Sequence, residues 1–210
     1  MSRRWLPLAA ALLLVAIAAA AIAPLRRAAL VRIGRHLSES DAPAPADMLV
    51  MDLDSGFAGA IKLSDLYREH PAPVGLLVPR KSELDEALLK RRIELPDVIL
   101  DVLLQLGIPR HAIVEMPAGE GGTTETAAAL AEWSRANPSG RLVVVVAPSH
   151  GRRYKRALLR AWPEGHSTPR VVTTQYALFR ADDWWQSRRT VRDGLEEIEK
   201  LGLDYLLYPW

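Results

Sequence analysis

The 210-residue chain contains no cysteine. That excludes a disulfide framework, a thiolate metal site and a cysteine nucleophile. It leaves the compartment open, because a cysteine-free chain suits oxidising and reducing spaces alike. Acid is missing from residues 1–35, which carry six arginines. Charge of either sign is missing from Trp5 to Leu25. The overall net charge of +2 therefore belongs to the N-terminus, and residues 36–210 carry −4. A chain whose body is acidic has little of the electrostatic footprint of a nucleic-acid binder, and no nucleic-acid partner is expected. Internal repeats are absent, and so are low-complexity tracts beyond the alanine-rich start.

The uncharged run reads WLPLAAALLLVAIAAAAIAPL over residues 5–25. At about 1.5 Å per residue a helix of this length reaches roughly 30 Å, the depth of a bilayer core. Arg3 and Arg4 precede it, and Arg26, Arg27, Arg32 and Arg35 follow. Trp5 suits the interface. A transmembrane anchor over residues 5–25 behind a basic head at 1–4 is expected, with the lipid bilayer as a partner. A cleaved signal peptide is the competing reading, because Ala19-Ala20-Ala21 offers small residues. Pro24 and the length of the run favour the anchor. The arginine flank favours a cytoplasmic C-terminal domain, whereas the short basic head is also how exported segments begin. Residues 26–46 read as a linker, with HLSESDAPAPAD at its end polar and proline-bearing. Residues 47–210 read as the domain.

Within that domain short apolar runs alternate with amphipathic stretches. Strands are expected at Met48–Asp52, Val74–Val78, Ala112–Glu115, Leu142–Ala147, Arg170–Thr173 and Tyr205–Tyr208. Helices are expected at Ala58–Glu69, Ser82–Arg92, Pro96–Leu106, Thr123–Ala136, Arg152–Trp162 and Trp184–Leu201. The run LVVVVA is apolar on both faces, as a strand covered by helices on both sides must be. The expected class is α/β, a doubly wound and mainly parallel sheet. Ligands of such sheets bind beyond the carboxyl ends of the strands.

Four loops fall there, and three carry chemistry. APSHGRRYKR (147–156) opens a helix with Ser149, His150 and Arg153 at its start. Backbone N–H groups, a guanidinium fork and a titratable imidazole together suit an anion such as phosphate. The region around it supports this, since residues 141–192 hold 11 basic and 3 acidic groups. A plain solvated basic face would produce the same count. GEGGTTET (119–126) places Gly122, Thr123 and Glu125 at a second helix start. MDLDSGF (51–57) sets Asp52, Asp54, Ser55 and Gly56 after the first strand. Two acids there suit a metal or a general base, or simply cap the next helix. With no second cluster at ligand spacing, no metal site is expected. Tryptophans 184 and 185 read as a core edge or a cleft wall, and Arg188, Arg189 and Arg192 as solvated or paired with Glu196.

In their order and spacing these pieces resemble the YdcF/SanA/ElyC-like family of bacterial envelope-associated domains. Ala46-Asp47 with the first strand, Leu106-Gly-Ile-Pro109, Gly122–Thr126, the strand and loop VVVVAPSHGRR, and the tryptophan-bearing C-terminal segment each resemble a family motif over residues 46–208. Thr123, Glu125, His150 and Arg153 match motif positions. Leu53-Asp54-Ser55-Gly56 and Val78-Pro79-Arg80 stand where the family has glycine-rich loops, and there glycine lets backbone approach a ligand.

The resemblance implies a Rossmann-like fold, tethering to the bacterial inner (plasma) membrane and a role in envelope or peptidoglycan biogenesis. It also implies an extracytoplasmic domain, against the arginine count. S-adenosylmethionine binding is associated with one branch; no cofactor is assigned to this chain. The leading expectation is a small anionic, phosphate-bearing ligand, lipid-carrier or nucleotide-like. His150 would be proton donor or anion ligand, Glu125 a base or orienting group, and Arg153 the anion clamp. Asp54, Ser55, Gly56, Gly122, Thr123 and Ser149 would line the cleft. The alternatives are a non-catalytic envelope scaffold and a cytoplasmic S-adenosylmethionine-binding enzyme.

Overall fold

The computed structural model describes residues 22–79, 95–118 and 122–209. The expected helix at Ser82–Arg92 and all but the last residues of the expected anchor lie outside these. Among the described residues no helix is long and apolar enough to cross a membrane.

Five strands form one parallel sheet: β1 (Met48–Met51), β2 (Val74–Pro79), β3 (Ile113–Ala118), β4 (Leu142–Val146) and β5 (Arg170–Thr173). Their order is β3-β2-β1-β4-β5. The helices are α1 (22–37), α2 (Gly56–Glu69), α3 (Leu95–Gln105), α4 (Thr123–Ala136), α5 (Gly151–Ala161) and α6 (Arg188–Leu207). All five residues of β4 are buried. Val143 and Val145 join Leu63, Ile99 and Leu103 on one side of the sheet. Leu142, Val144 and Val146 join Leu130, Tyr154 and Leu158 on the other. The period-2 alternation of a strand thus feeds two apolar layers, with α2 and α3 covering one face and α4 and α5 the other.

Two expectations are corrected. Tyr205–Tyr208 forms no strand: α6 runs through to Leu207. Asp204 there binds Arg156 and Arg160 at 2.6 and 2.9 Å, and the Arg156 guanidinium stacks over the Tyr205 ring at 3.9 Å. Those partners hold the apolar-aromatic tail helical against a β-favouring composition. The start of α6 is later than Trp184, because Ser187 caps it by accepting from Thr190 N.

Residues 26–46 are not a loose tether. α1 continues to residue 37 and seats on the domain through Leu30, Leu37, Phe179, Trp184 and Leu201. Trp184 Nε1 donates to the Leu30 carbonyl at 2.9 Å. Gly34 allows the approach, since a Cβ there would lie 2.4 Å from the Ala181 carbonyl oxygen. The strap that follows runs along β5: Asp41 N donates to Val171 O, and Val171 N to Asp41 Oδ2, at 2.7 and 2.9 Å. Thr173 N donates to Ser40 Oγ. An edge strand with open backbone groups is covered in this way. Its proline content signalled an extended segment; only the fold supplied the strand that it lies against.

Candidate functional site

Strand order reverses between β1 and β4, because the connections from β1 run one way and that into β4 returns to its other side. The carboxyl ends of these two strands therefore diverge from a crevice. Asp52 follows β1 directly, held by its N–H on the Val145 carbonyl at 2.8 Å. A short helical turn, Leu53–Ser55, comes next, with Ser55 N and Oγ both donating to the Asp52 carbonyl. Gly56 closes the turn at φ 54°, a conformation that side chains disfavour. After β4 a matching turn, Pro148–His150, brings His150 to the head of α5.

The two turns meet at an ion-paired hydrogen bond. His150 Nε2 and Asp52 Oδ2 lie 3.0 Å apart, with the residues 6% and 9% exposed. Burial alone would depress the imidazole's pKa; the Asp52 hydrogen bond and charge, with Glu197 beyond, outweigh it and raise the pKa above its ordinary value. Asp54 adds a second carboxylate, which takes no hydrogen bond or ion pair among the described residues. The residue is exposed to the crevice, yet the atoms packed around its carboxyl partly desolvate it, and its pKa is raised, first by that desolvation and then by the Asp52 charge. One ligand atom each from Asp52, Asp54 and His150 lie within 4.8 Å of one another. Beneath them the Tyr154 ring stacks on His150 at 6.5 Å.

The crevice holds about 640 Å³. Asp54, Ser55, Gly56, Ser149 and His150 form its floor, as the sequence suggested. Gly122, Thr123, Glu125 and Arg153 do not line it among the described residues. Arg153 is drawn aside: its Nε and Nη2 donate to Glu197 at 2.8 and 2.9 Å, and Nη1 to Thr123 Oγ1 at 2.7 Å. The expected meeting of Arg153 with Thr123 is therefore present, but as a structural clasp between α4, α5 and α6. Glu125 is exposed at the head of α4, its carboxylate turned back over Gly122.

The same pairing accounts for the basic third quarter. Arg152 binds Glu39, Lys155 binds Asp41 and Glu39, and Arg156 and Arg160 bind Asp204. The acids come from the strap and from α6, so the positive run is neutralised by distant negative ones. Of the arginines at the start of α6, Arg189 lines the crevice, and Glu196 takes Lys200 as its ion-pair partner.

Two walls escaped the sequence reading. One is apolar: Phe57, Tyr176 and Leu178 are 57%, 46% and 65% exposed. The other is the face of α6 bearing Arg189, Asp193, Glu196, Glu197 and Lys200. The α6 residues recur at i, i+4, i+7, i+8 and i+11, a charged helical stripe that was legible as such. Nothing in the sequence distinguished Tyr176 or Leu178 from ordinary loop residues. The chain matches no family model and no curated protein.

Proposed function

We propose that this is a membrane-anchored, Rossmann-like doubly wound protein of the bacterial envelope that binds a small phosphate-bearing ligand in the crevice between β1 and β4. Residues 5–25 hold it in the inner membrane, and the domain stands on the extracytoplasmic side. The observation that carries the ligand assignment is the buried Asp52–His150 pair at the point where strand order reverses. Held above its ordinary pKa, the imidazole is a ready donor to an anionic oxygen. Arg189 supplies positive charge across the crevice, in place of the occupied Arg153. The exposed Phe57, Tyr176 and Leu178 wall suits the apolar portion of a lipid-carrier phosphate better than a bare sugar phosphate.

Thermal shift of the full chain in detergent tests this. Short-chain polyprenyl phosphate is expected to raise the melting temperature, and the His150→Gln variant to lose most of that rise. A rise of equal size in the variant, or none with wild type, rejects the ligand. Alkaline phosphatase fused after Trp210 tests the compartment, and an inactive reporter on a stable fusion rejects the extracytoplasmic placement.

The clasped Arg153 favours a second reading, a non-catalytic scaffold, in which the basic residue expected to hold the ligand has a structural task instead. Full complementation of a deletion by His150→Gln would favour it.

A further inference from the structure

We propose that Asp52, Asp54 and His150 bind one hard divalent cation, of the Mn²⁺ or Mg²⁺ class, on the floor of the crevice. Three observations converge. The first is geometric: the three side chains, from two separate strand ends, place a donor atom each within 4.8 Å of the others. A single ion at their centre is within reach of all three by small rotations of the side chains.

The second is the charge balance. Two carboxylates share one imidazole, and Asp54 has no hydrogen-bond or ion-pair partner among the described residues. Lys200 on α6 is spent on Glu196 and Glu197 at 2.6 and 3.6 Å, which leaves Arg189 as the crevice arginine or lysine without an ion pair among the described residues. Arg153 is spent on Glu197. A divalent ion neutralises the pair of carboxylates and leaves the imidazole to offer a lone pair in place of the proton it shares with Asp52.

The third lies outside the cluster. The Tyr154 hydroxyl is fully buried and has no hydrogen-bond partner among the described residues. Its ring stacks on His150, with the ring centroids 6.5 Å apart. Buried polar groups in native proteins are paired; Ser38 Oγ and Arg160 Nη1 are also left over elsewhere, but the Tyr154 hydroxyl alone belongs to a side chain stacked on a residue of the cluster, where a bound water or ion would pair it. A water on the ion would supply the missing partner, making Tyr154 the outer support of the site.

The donor set selects the ion. Two carboxylate oxygens and one nitrogen, in a chain with no cysteine to offer a thiolate, suit Mn²⁺ or Mg²⁺ rather than a thiophilic metal. The remaining coordination positions face the crevice. If the phosphate reading above holds, a phosphate oxygen occupies one of them and meets the ion in place of the His150 proton, and the ion explains how a crevice with Asp54 on its floor and Asp52 beneath accepts an anion.

The test uses the full chain in detergent, stripped with EDTA and titrated with MnCl₂, free Mn²⁺ being read by electron paramagnetic resonance. One Mn²⁺ per chain is expected. Asp54→Asn should weaken binding at least about tenfold, and Tyr154→Phe, a change outside the ligands, by several-fold. Asp54 has no structural partner among the described residues and its charge opposes that of Asp52, so the metal-free Asp54→Asn protein should melt no lower than wild type, which separates lost binding from lost folding. Glu115→Gln, on the far strand β3, should bind as wild type does. No retained Mn²⁺ at millimolar concentration, or equal affinity in Asp54→Asn, overturns the site. The polyprenyl phosphate shift is repeated in EDTA. A shift there without Mn²⁺ binding removes the cation and keeps the ligand; Mn²⁺ binding with no shift under any condition does the reverse.

Discussion

Glu197 shows how much a single side chain on α6 carries. It is 5% exposed and receives both forks of Arg153, which is itself mostly buried. Removing one member of a buried pair strands the other charge, at a cost of about 3–5 kcal/mol. Glu197→Ala is therefore expected to lower unfolding stability by about that amount in urea titrations. Arg35, paired with Asp182 on the surface at 70% side-chain exposure, provides the contrast. Arg35→Ala should change stability by less than about 1 kcal/mol. Equal losses in the two variants would mean that the clasp contributes no more than a surface pair. Arg153 was legible in the sequence as a residue at the head of α5, expected there as an anion clamp rather than as half of a clasp. Its partner was not, because 44 residues separate Arg153 from Glu197 and no local pattern links them.

At the scale of elements, the strap between α1 and β1 and the C-terminal turn of α6 are both fastened by carboxylates. Hydrogen bonds from the Arg141 side chain and backbone hold the Asp47 pKa down to about 2. Burial opposes ionisation of Asp41 and Asp204, but Lys155 and Val171 N at the first, and Arg156 and Arg160 at the second, outweigh it and keep both below the usual carboxylate range. A carboxyl whose folded pKa is depressed contributes stability above its unfolded value, and that contribution disappears as pH falls through the folded value. Stability is therefore expected to be insensitive to these three groups above about pH 4, near the unfolded carboxyl value, and to fall as pH drops toward 2. Asp41→Asn should flatten that acid limb, as followed by circular dichroism across pH. An unchanged limb would exclude the strap as its source. That the strap is extended was legible from Pro43 and Pro45. That it pairs with β5 was not, since the partner strand begins more than 120 residues later.

Across the whole molecule, α1 makes the orientation of the domain a property of the fold. Over residues 22–37 it rises about 24 Å. Its seat on Trp184 and Phe179 joins the first described residues to the element that walls the crevice. With the proposed anchor preceding it, the crevice would keep a set height and tilt above the bilayer. Gly34→Ala forces a methyl against the Ala181 carbonyl and the Trp184 ring, a clash of the kind that costs about 1–3 kcal/mol. Trypsin is expected to cut the variant at Arg32 and Arg35 much faster than wild type, and Trp184 emission to shift to the red. Equal cleavage rates would show that the helix is not held by this contact.

The α/β class, the parallel strands and the loops at their carboxyl ends were determined by the sequence alone. Apolar runs with a period of two, helices with a period near four, and a five-residue buried strand leave few other arrangements. His150, Asp54, Ser55, Gly56 and Ser149 were legible as crevice residues for the same reason: a strand end points its loop toward the crevice wherever the sheet sits. The tertiary structure alone decided the partners. It brought Asp52 to His150 across 98 residues. It turned Arg153 from the crevice to Glu197, and it cancelled a basic segment against acids from both ends of the chain. Periodicity reports which way a side chain faces, but Coulomb and hydrogen-bond energies depend on distances that exist only once the chain has closed on itself.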